Sequence, residues 1–275
     1  MTKNKKELTE EQLAILNNSY PVSEDSNALT LPRFGMLSKD ITETTGSGKL
    51  KKIEVVEAAG TFFTERDNGE TNDEGKKVWT KTFLKGKTQN VIILYHRRQL
   101  RMYDSSLEKF YSTPVYDTAD QVLPLYLDKQ VVKRGTQAEL QAMFPAVTLK
   151  GKPSSKLKED TILFVLFEGE MYQCNLSQSS KWEFKNYGKN RNPSTVITTL
   201  DSVEDTFGDN TFSKMTFTED RKIDGDEFDS VMENQTIIKD KAEGDKKFLL
   251  STAALPSKAE KDMEALESES EKGEW

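Results

Sequence analysis

The sequence contains one cysteine, Cys174, and one histidine, His96, among its 275 residues. A single thiol excludes an internal disulfide framework and favours a reducing compartment. A zinc site built from histidine and cysteine is excluded by number, because such sites need three or four of these ligands. Nothing in the sequence pairs Cys174 with a base as a nucleophile would require. We therefore predict an inert core cysteine and a buried or groove-lining histidine.

Long apolar runs are also missing. None approaches the roughly 18 residues of a membrane span, and the opening MTKNKKELTEEQ lacks the apolar stretch of a signal peptide. Hydrophobic residues make up 35% of the chain and charged residues 31%. We therefore expect a soluble, cytoplasmic protein that binds no membrane and has some loosely ordered segments.

Two ligand-binding patterns are incomplete. GSGKLKK (46–52) lacks the first glycine of a phosphate-binding loop, and Leu50 replaces its Ser/Thr, so we interpret it as a turn. KIDGDEFDS offers Asp224, Asp226, Glu227 and Asp229, but not at the spacing of a calcium loop, so we interpret it as an acidic loop. We predict no cofactor and no metal site. Metal-dependent nuclease chemistry using the acids of 219–229 stays open as an alternative.

Charge is distributed unevenly along the chain. The net charge of −7 combines about +6 in residues 31–200 with about −11 in residues 201–275 and about −2 in the first 30. This split predicts an acidic segment attached to a body of opposite charge. The alternative is that the acidic end only keeps the protein soluble.

The predicted elements divide the chain into four parts. Residues 1–30 contain a short helix after Thr9 and a connector, residues 201–256 form an acidic, strand-containing extension, and residues 257–275 form an acidic tail. Between them, residues 31–200 contain three strands (49–63, 76–87 and 90–104), a helix (136–144), a buried strand (157–177) and a fifth strand (194–200). In the extension, NTFSKMTFT predicts a strand, and QTIIKD and KKFLLS predict a hairpin.

This order of strands and helix resembles the OB-fold, a five-stranded Greek-key barrel. The predicted fold class is therefore mainly β (α+β), with the barrel, one inserted helix, an N-terminal helix and extra C-terminal strands. OB-folds bind oligonucleotides on strands 2–3 and through the loops joining strands 1–2 and 4–5. The resemblance thus implies base-stacking rings and phosphate-binding cations at those places.

Two of the three places carry such residues. In the second and third strands, rings and cations recur at odd positions, which share one face of a strand. The loop 177–193 is equally rich in both, whereas the loop after the first strand is acidic. The alternatives are that the rings belong to the core, the lysines to a solvated edge, and the loop to a packed flap. The candidate nucleic-acid-binding residues are Trp79, Lys81, Phe83, Lys85, Lys87, Tyr95, Arg97, Arg101, Tyr103, Lys181, Trp182, Phe184, Lys185, Tyr187, Lys189 and Arg191.

The chain closes on ESESEKGEW, a run of carboxylates before one ring. This ending, together with the OB-like order, resembles bacterial and phage single-stranded DNA-binding proteins, whose acidic C-termini end in an aromatic residue and recruit replication and repair proteins. The phage type is the closer comparison, because bacterial tails end in Pro-Phe. The resemblance implies that the tail gates the groove at low salt and binds partners through Glu267, Glu269, Glu271, Glu274 and Trp275.

We therefore predict a non-enzymatic protein of replication or recombination that binds single-stranded DNA without sequence preference, in the cytoplasm of a bacterial host if it is viral. RNA as a ligand and a homo-oligomeric state are left open. Besides the nuclease, the competing hypothesis is a protein-interaction or structural module of a virion or assembly, with the rings as its interface.

Overall fold

The computed structural model describes residues 31–45, 52–73, 75, 77–104, 108–127, 130–144, 156–189 and 191–253, with only the backbone at 44, 45, 52, 53 and 241–253. Within these ranges the chain is mainly β, with thirteen strands and three α-helices. The helices are α1 (Gln137–Ala142), α2 (Gln178–Gly188) and α3 (Gly225–Ala253). The strands are β1 (Arg33–Met36), β2 (Ile41–Thr45), β3 (Lys52–Glu57), β4 (Phe62–Thr71), β5 (Lys77–Phe83), β6 (Thr88–Asp104), β7 (Lys109–Ser112), β8 (Leu123–Leu127), β9 (Gln130–Gly135), β10 (Lys158–Phe167), β11 (Glu170–Leu176), β12 (Val196–Phe207) and β13 (Asn210–Lys222).

The described chain divides into two compact units. The first consists of residues 31–96 and 161–237, and the second of residues 97–160 and 238–253, so β6, β10 and α3 contribute to both. The domain boundary predicted at residue 200 falls inside β12. The predicted N-terminal helix and the acidic tail lie outside the described residues.

The first unit contains a mixed sheet with the strand order β5-β4-β1-β11-β10-β6, and β6 also pairs with β12, which pairs with β13. β1 runs parallel to β11, whereas β4 and β5, and β10 and β11, are antiparallel. β2 and β3 form a separate two-stranded sheet. The Ser213 N–H donates to the Ser38 carbonyl at 2.9 Å, but no ladder closes the sheet among the described strands. The five-stranded OB-fold barrel is therefore not confirmed.

One face of this sheet carries the core of the first unit. α2 packs against β13 and β11 and adds two of its own rings to that core. Burying these apolar side chains stabilises the unit by about 25 cal/mol per Å². The cluster includes Phe34, Phe62, Ile93, Leu163, Val165, Cys174, Phe184, Tyr187, Leu200 and Phe217.

The second unit is an antiparallel meander of the second half of β6, β7, β8 and β9. Its core includes Leu100, Met102, Leu125 and Leu140. The helix predicted here from a capping box is confirmed as α1: Thr136 Oγ1 accepts from the Glu139 N–H at 3.4 Å, and Glu139 Oε2 accepts from the Thr136 N–H at 2.7 Å. The Thr136 N–H and, at 3.0 Å, the Thr136 hydroxyl both donate to the Glu139 carboxylate, which lowers the pKa of Glu139. Neither α1 nor any other helix in the described ranges is long and apolar enough to cross a membrane.

The buried strand predicted over 157–177 is wrong, because two strands occupy it. β10 and β11 pair antiparallel across a turn at Glu168 and Gly169, whose φ angles are 50° and 81°. Two consecutive left-handed residues are typical of a two-residue hairpin turn. The sequence conceals this turn because apolar residues continue on both sides of it.

The predicted hairpin of QTIIKD and KKFLLS is also wrong, because both segments belong to α3. The predicted acidic loop before it starts this helix. Asp224 Oδ1 accepts from the Glu227 N–H at 3.1 Å, and Glu227 Oε2 accepts from the Asp224 N–H at 2.8 Å. This reciprocal pair is a capping box in which aspartate replaces the usual Ser or Thr. Phe228, Val231 and Gln235 are buried at helical spacing, and Gln235 Nε2 donates to the Leu94 carbonyl at 3.1 Å.

Candidate nucleic-acid interface

The odd positions of β5 share a face with rings and charges of neighbouring strands, as their alternation predicts. β5 pairs with β4 so that Trp79 lies opposite Asp67, Lys81 opposite Glu65 and Phe83 opposite Phe63. Lys81 Nζ is 4.4 Å from the centroid of the Phe63 ring. Trp79, Phe83 and Phe63 are half-buried. We call this group, with Arg33 of β1, the Trp79 surface.

A carboxylate lies in the middle of the Trp79 surface. Arg33 Cζ lies 4.8 Å from the centroid of the Trp79 ring, and its Nη1 is 3.1 Å from Glu65 Oε2. Lys81 Nζ is 4.0 Å from the other oxygen of Glu65. The cations therefore have an internal partner, which lowers their attraction for phosphate. The exposed Lys85 and Lys87 lie in the turn after β5.

Two candidates in β6 are corrected by the structure. Tyr95 is 2% exposed and stacks on Phe164, with ring centroids 6.1 Å apart. The Arg97 side chain is 4% exposed, and its Nε and Nη2 donate to the two carboxylate oxygens of Asp117, each at 3.1 Å. Both residues are therefore structural. Alternation does not separate a core face from a solvent face here, because Val91 to Tyr95 are all buried and both faces of this part of β6 are therefore covered.

The second unit carries an exposed aromatic pair. Tyr103 of β6 lies opposite Phe110 of β7, with ring centroids 4.8 Å apart, and their residues are 48% and 53% exposed. Arg101 Cζ lies 5.6 Å from the centroid of the Phe110 ring. The intervening Met102 faces the core, so Arg101 and Tyr103 point to the outer face. We call Arg101, Tyr103 and Phe110 the Tyr103 surface.

Two more side chains bear on this surface. Tyr126 of β8 is opposite Ser112, which is itself opposite Arg101, so the half-buried Tyr126 ring lies on the same face. Arg101 Nη1 is 3.8 Å from Asp160 Oδ2, and the two side chains are 40% and 27% exposed. A surface ion pair of this length contributes little. The guanidinium can therefore exchange Asp160 for a phosphate at small cost.

Phe110 and Tyr126 are not among the predicted residues, because no strand is predicted from the sequence between residues 104 and 136. A usable signal was present. Tyr103 and Phe110 flank a short polar segment, which is the spacing of a hairpin.

The predicted loop 177–193 is wrong, because α2 occupies most of it. Ser177 Oγ caps the helix by accepting from the Ser180 N–H at 3.3 Å. Ser180, Phe184 and Tyr187 recur at i, i+4 and i+7 and face the core, a helical period that a reading of the segment as a loop overlooks. Phe184 and Tyr187 are therefore core residues, 6% and 8% exposed.

Tyr187 and Arg191 hold the end of α2 in place. The Tyr187 hydroxyl shares a hydrogen bond of 2.8 Å with Thr198 Oγ1, and burial raises the pKa of Tyr187. Arg191 Cζ lies 4.7 Å from the centroid of the Tyr187 ring, and its Nη1 donates to Glu219 Oε2 at 2.9 Å.

The outer face of α2 carries the remaining predicted residues. Trp182 is 63% exposed, and Lys185 Nζ lies 5.3 Å from its ring centroid. Lys189 is exposed and Lys181 is half-buried. We call these four residues the outer face of α2.

The Trp79 surface and α2 lie on opposite faces of the sheet of the first unit. Phe62 belongs to the core against which α2 packs, whereas the next residue, Phe63, lies with Trp79. Successive residues of a strand point to opposite faces. The second strand and the 177–193 segment therefore do not line one groove in this unit.

Glu219, Asp224 and Glu227, three of the acids of 219–229, have partners within the first unit. Glu219 pairs with Arg191, and Arg221 Nη2 donates to Glu227 Oε1 at 2.5 Å. In the described ranges no group of three or more His, Cys, Asp or Glu side chains could hold a metal ion. Cys174 is buried, which raises the pKa of its thiol to about 12.

Comparison with protein-family models, with curated proteins and with solved structures finds no match to this chain.

Proposed function

We propose that this protein binds single-stranded DNA without reading its sequence, and that the Tyr103 surface holds the bases. The observation that carries the proposal is the pairing of two rings, each about half exposed, beside a guanidinium on one sheet face. Single exposed hydrophobic residues are common on protein surfaces. The exposure of two adjacent rings beside a cation requires a further explanation, and a ligand that stacks on the rings provides one.

Bases and rings of this kind fit each other chemically. Every base has a π-face, so stacking on Tyr103 and Phe110 would contribute about 1–3 kcal/mol per base without sequence preference. Arg101 would meet the phosphate between two stacked bases or lie flat against one of them. The binding would weaken with salt, by a log-affinity slope of about −0.7 per neutralised phosphate.

This proposal does not depend on an OB-fold barrel, since the rings lie on an open meander. It also leaves out Tyr95, Arg97, Phe184 and Tyr187, whose side chains are buried. We extend the proposal to a role in replication or recombination in the cytoplasm of a bacterial host. We also extend it to the recruitment of partner proteins by the tail that ends in Trp275.

Fluorescence anisotropy of a labelled oligo(dT), short enough to hold one protein molecule, tests the proposal at fixed low salt. Tyr103→Ala and Phe110→Ala should each weaken binding by about 5- to 150-fold, the equivalent of one stacked base. Tyr103→Phe with Phe110→Tyr keeps both rings and should keep the affinity.

Val122→Ala is the matched control, because Val122 is a 55% exposed apolar side chain of the same unit without a ring. It should bind like the parent protein. Circular dichroism verifies that each variant is folded. The proposal fails if the parent protein leaves the anisotropy unchanged, or if a folded Tyr103→Ala/Phe110→Ala variant binds as tightly as Val122→Ala.

A further inference from the structure

The hairpin of β12 and β13 ends in an exposed ring. Phe207 is 81% exposed, and Val203 on the same strand is 40% exposed. The register is continuous from Thr198 to Phe207 and places Val203 opposite Lys214, Asp205 opposite Phe212, and Phe207 opposite Asn210. Opposite residues share a face, so Val203, Phe207 and the half-buried Phe212 form one apolar strip.

Carboxylates surround this strip. Asp209 in the turn of the hairpin is exposed, Asp205 lies between the apolar side chains, and the exposed Glu204 lies on the opposite face of β12. Lys214 is the cation of this part of the hairpin, and its Nζ is already 3.1 Å from Asp205 Oδ2 and 2.8 Å from Glu183 Oε1. A surface with an exposed ring and a surplus of carboxylates repels polyanions. Its complement is an apolar surface that carries ammonium groups.

The outer face of α2 has these properties. Trp182 offers a 63% exposed ring, and Lys185 of α2 and Lys189, the residue directly after α2, offer exposed ammonium groups. Phe207 and Trp182 both stay exposed in the single chain, so the hairpin tip does not cover the outer face of α2 in the same chain. The contact requires another molecule.

We propose that the tip of the β12–β13 hairpin of one copy docks on the outer face of α2 in a second copy. Phe207 packs against Trp182, and Asp209 faces Lys185 and Lys189. Both surfaces are on regular elements of one unit, which keeps the cost of ordering them low. This inference is independent of the proposed function, because the Tyr103 surface takes no part in it.

Analytical ultracentrifugation of the full chain over micromolar concentrations tests the proposal. The parent protein should associate at low salt and dissociate as salt is added, since charge pairs contribute to the contact. Phe207→Ala should weaken association by about tenfold or more, as expected for loss of a central buried ring. Asp220→Lys is the matched charge control, because Asp220 is an exposed acid of β13 near the other end of the strand, and it should associate like the parent.

A charge exchange separates docking from damage to the fold. Asp209→Lys and Lys185→Glu should each be monomeric alone, because like charges then meet in every contact. A mixture of the two should associate again, because each hairpin then meets an α2 of opposite charge. Two misfolded variants would not restore each other.

The proposal is overturned if the parent protein is monomeric at every concentration, or if the mixture stays monomeric. It is also overturned if Lys185→Glu weakens oligo(dT) binding while the sedimentation of the protein stays unchanged, since that result assigns the outer face of α2 to nucleic acid.

Discussion

The buried ion pair of Arg97 and Asp117 gives a prediction that separates a structural arginine from a DNA-binding one. Both side chains are 4% exposed, and two hydrogen bonds of 3.1 Å join them. Arg97 Nη2 also donates to the Val115 carbonyl at 3.4 Å. An arginine cannot lose its charge in a protein. Asp117→Asn therefore leaves a buried cation without its counter-charge.

Removing one partner of a buried pair costs about 3–5 kcal/mol. The opening equilibrium of the surrounding strands should therefore rise by about 150- to 5,000-fold, at 1.36 kcal/mol per factor of ten. Hydrogen–deuterium exchange, followed by mass spectrometry, measures this locally, which matters in a chain of two compact units where a single unfolding transition is not assured. Peptides covering 97–117 should lose protection, while β11 and the part of β10 that lies in the first unit should change less.

Asp120→Asn is the control, because Asp120 is exposed in the same segment, and it should leave exchange unchanged. Arg97→Met with Asp117→Leu removes both charges and should recover most of the lost protection. The reasoning is refuted if Asp117→Asn exchanges like Asp120→Asn. A rise in oligo(dT) affinity of a folded Asp117→Asn variant would instead show that Arg97 is released to bind phosphate.

Three further results are expected. Arg101→Ala should reduce the salt slope of oligo(dT) binding by about 0.7 and Arg101→Lys should not, as measured by titration at several salt concentrations; equal slopes would remove Arg101 from the phosphate contacts. Cys174 should resist thiol reagents at pH 8 in the native protein and react after denaturation, because burial raises its pKa to about 12; rapid native labelling would contradict its burial. The hydrogen bond from Lys214 lowers the pKa of Asp205. This hydrogen bond therefore stabilises the fold at pH values above the pKa of Asp205 in the unfolded chain. The stabilisation is lost as the pH falls through the lower pKa that Asp205 has in the folded protein. In a carboxyl NMR titration, Lys214→Met should raise the pKa of Asp205, and an unchanged midpoint would contradict the contact.

Local signals predicted several elements correctly. The capping box at Thr136 predicted α1, and the long strand pattern from Asn90 to Asp104 predicted β6. Both signals depend on neighbouring residues alone. The alternation of Lys77, Trp79, Lys81 and Phe83 also gave their shared face correctly.

Errors arose where the outcome depended on partners distant in sequence. The turn at Glu168–Gly169 is hidden in an apolar run, because β10 and β11 are both central strands of the sheet. The segment of α2 has many polar and aromatic residues and few strong helix signals, and its helix is held by packing of Phe184 and Tyr187 on the core. Local propensity does not contain such tertiary contacts.

The same sequence pattern of rings and cations at alternate positions produces three different surfaces, and what lies beside each strand decides between them. At Tyr95 the ring stacks on Phe164 of the neighbouring β10 and is 2% exposed. At Trp79 the neighbouring β4 places Glu65 between the cations. At Tyr103 the neighbour β7 contributes another ring, Phe110, and the carboxylate of Asp160 lies 3.8 Å from Arg101 Nη1. Under the proposed function, the third arrangement would hold a polyanion with stackable bases best, because the carboxylate of the second competes with phosphate and the ring of the first is buried. The Tyr103 surface is therefore the place where loss of a ring should reduce DNA affinity most.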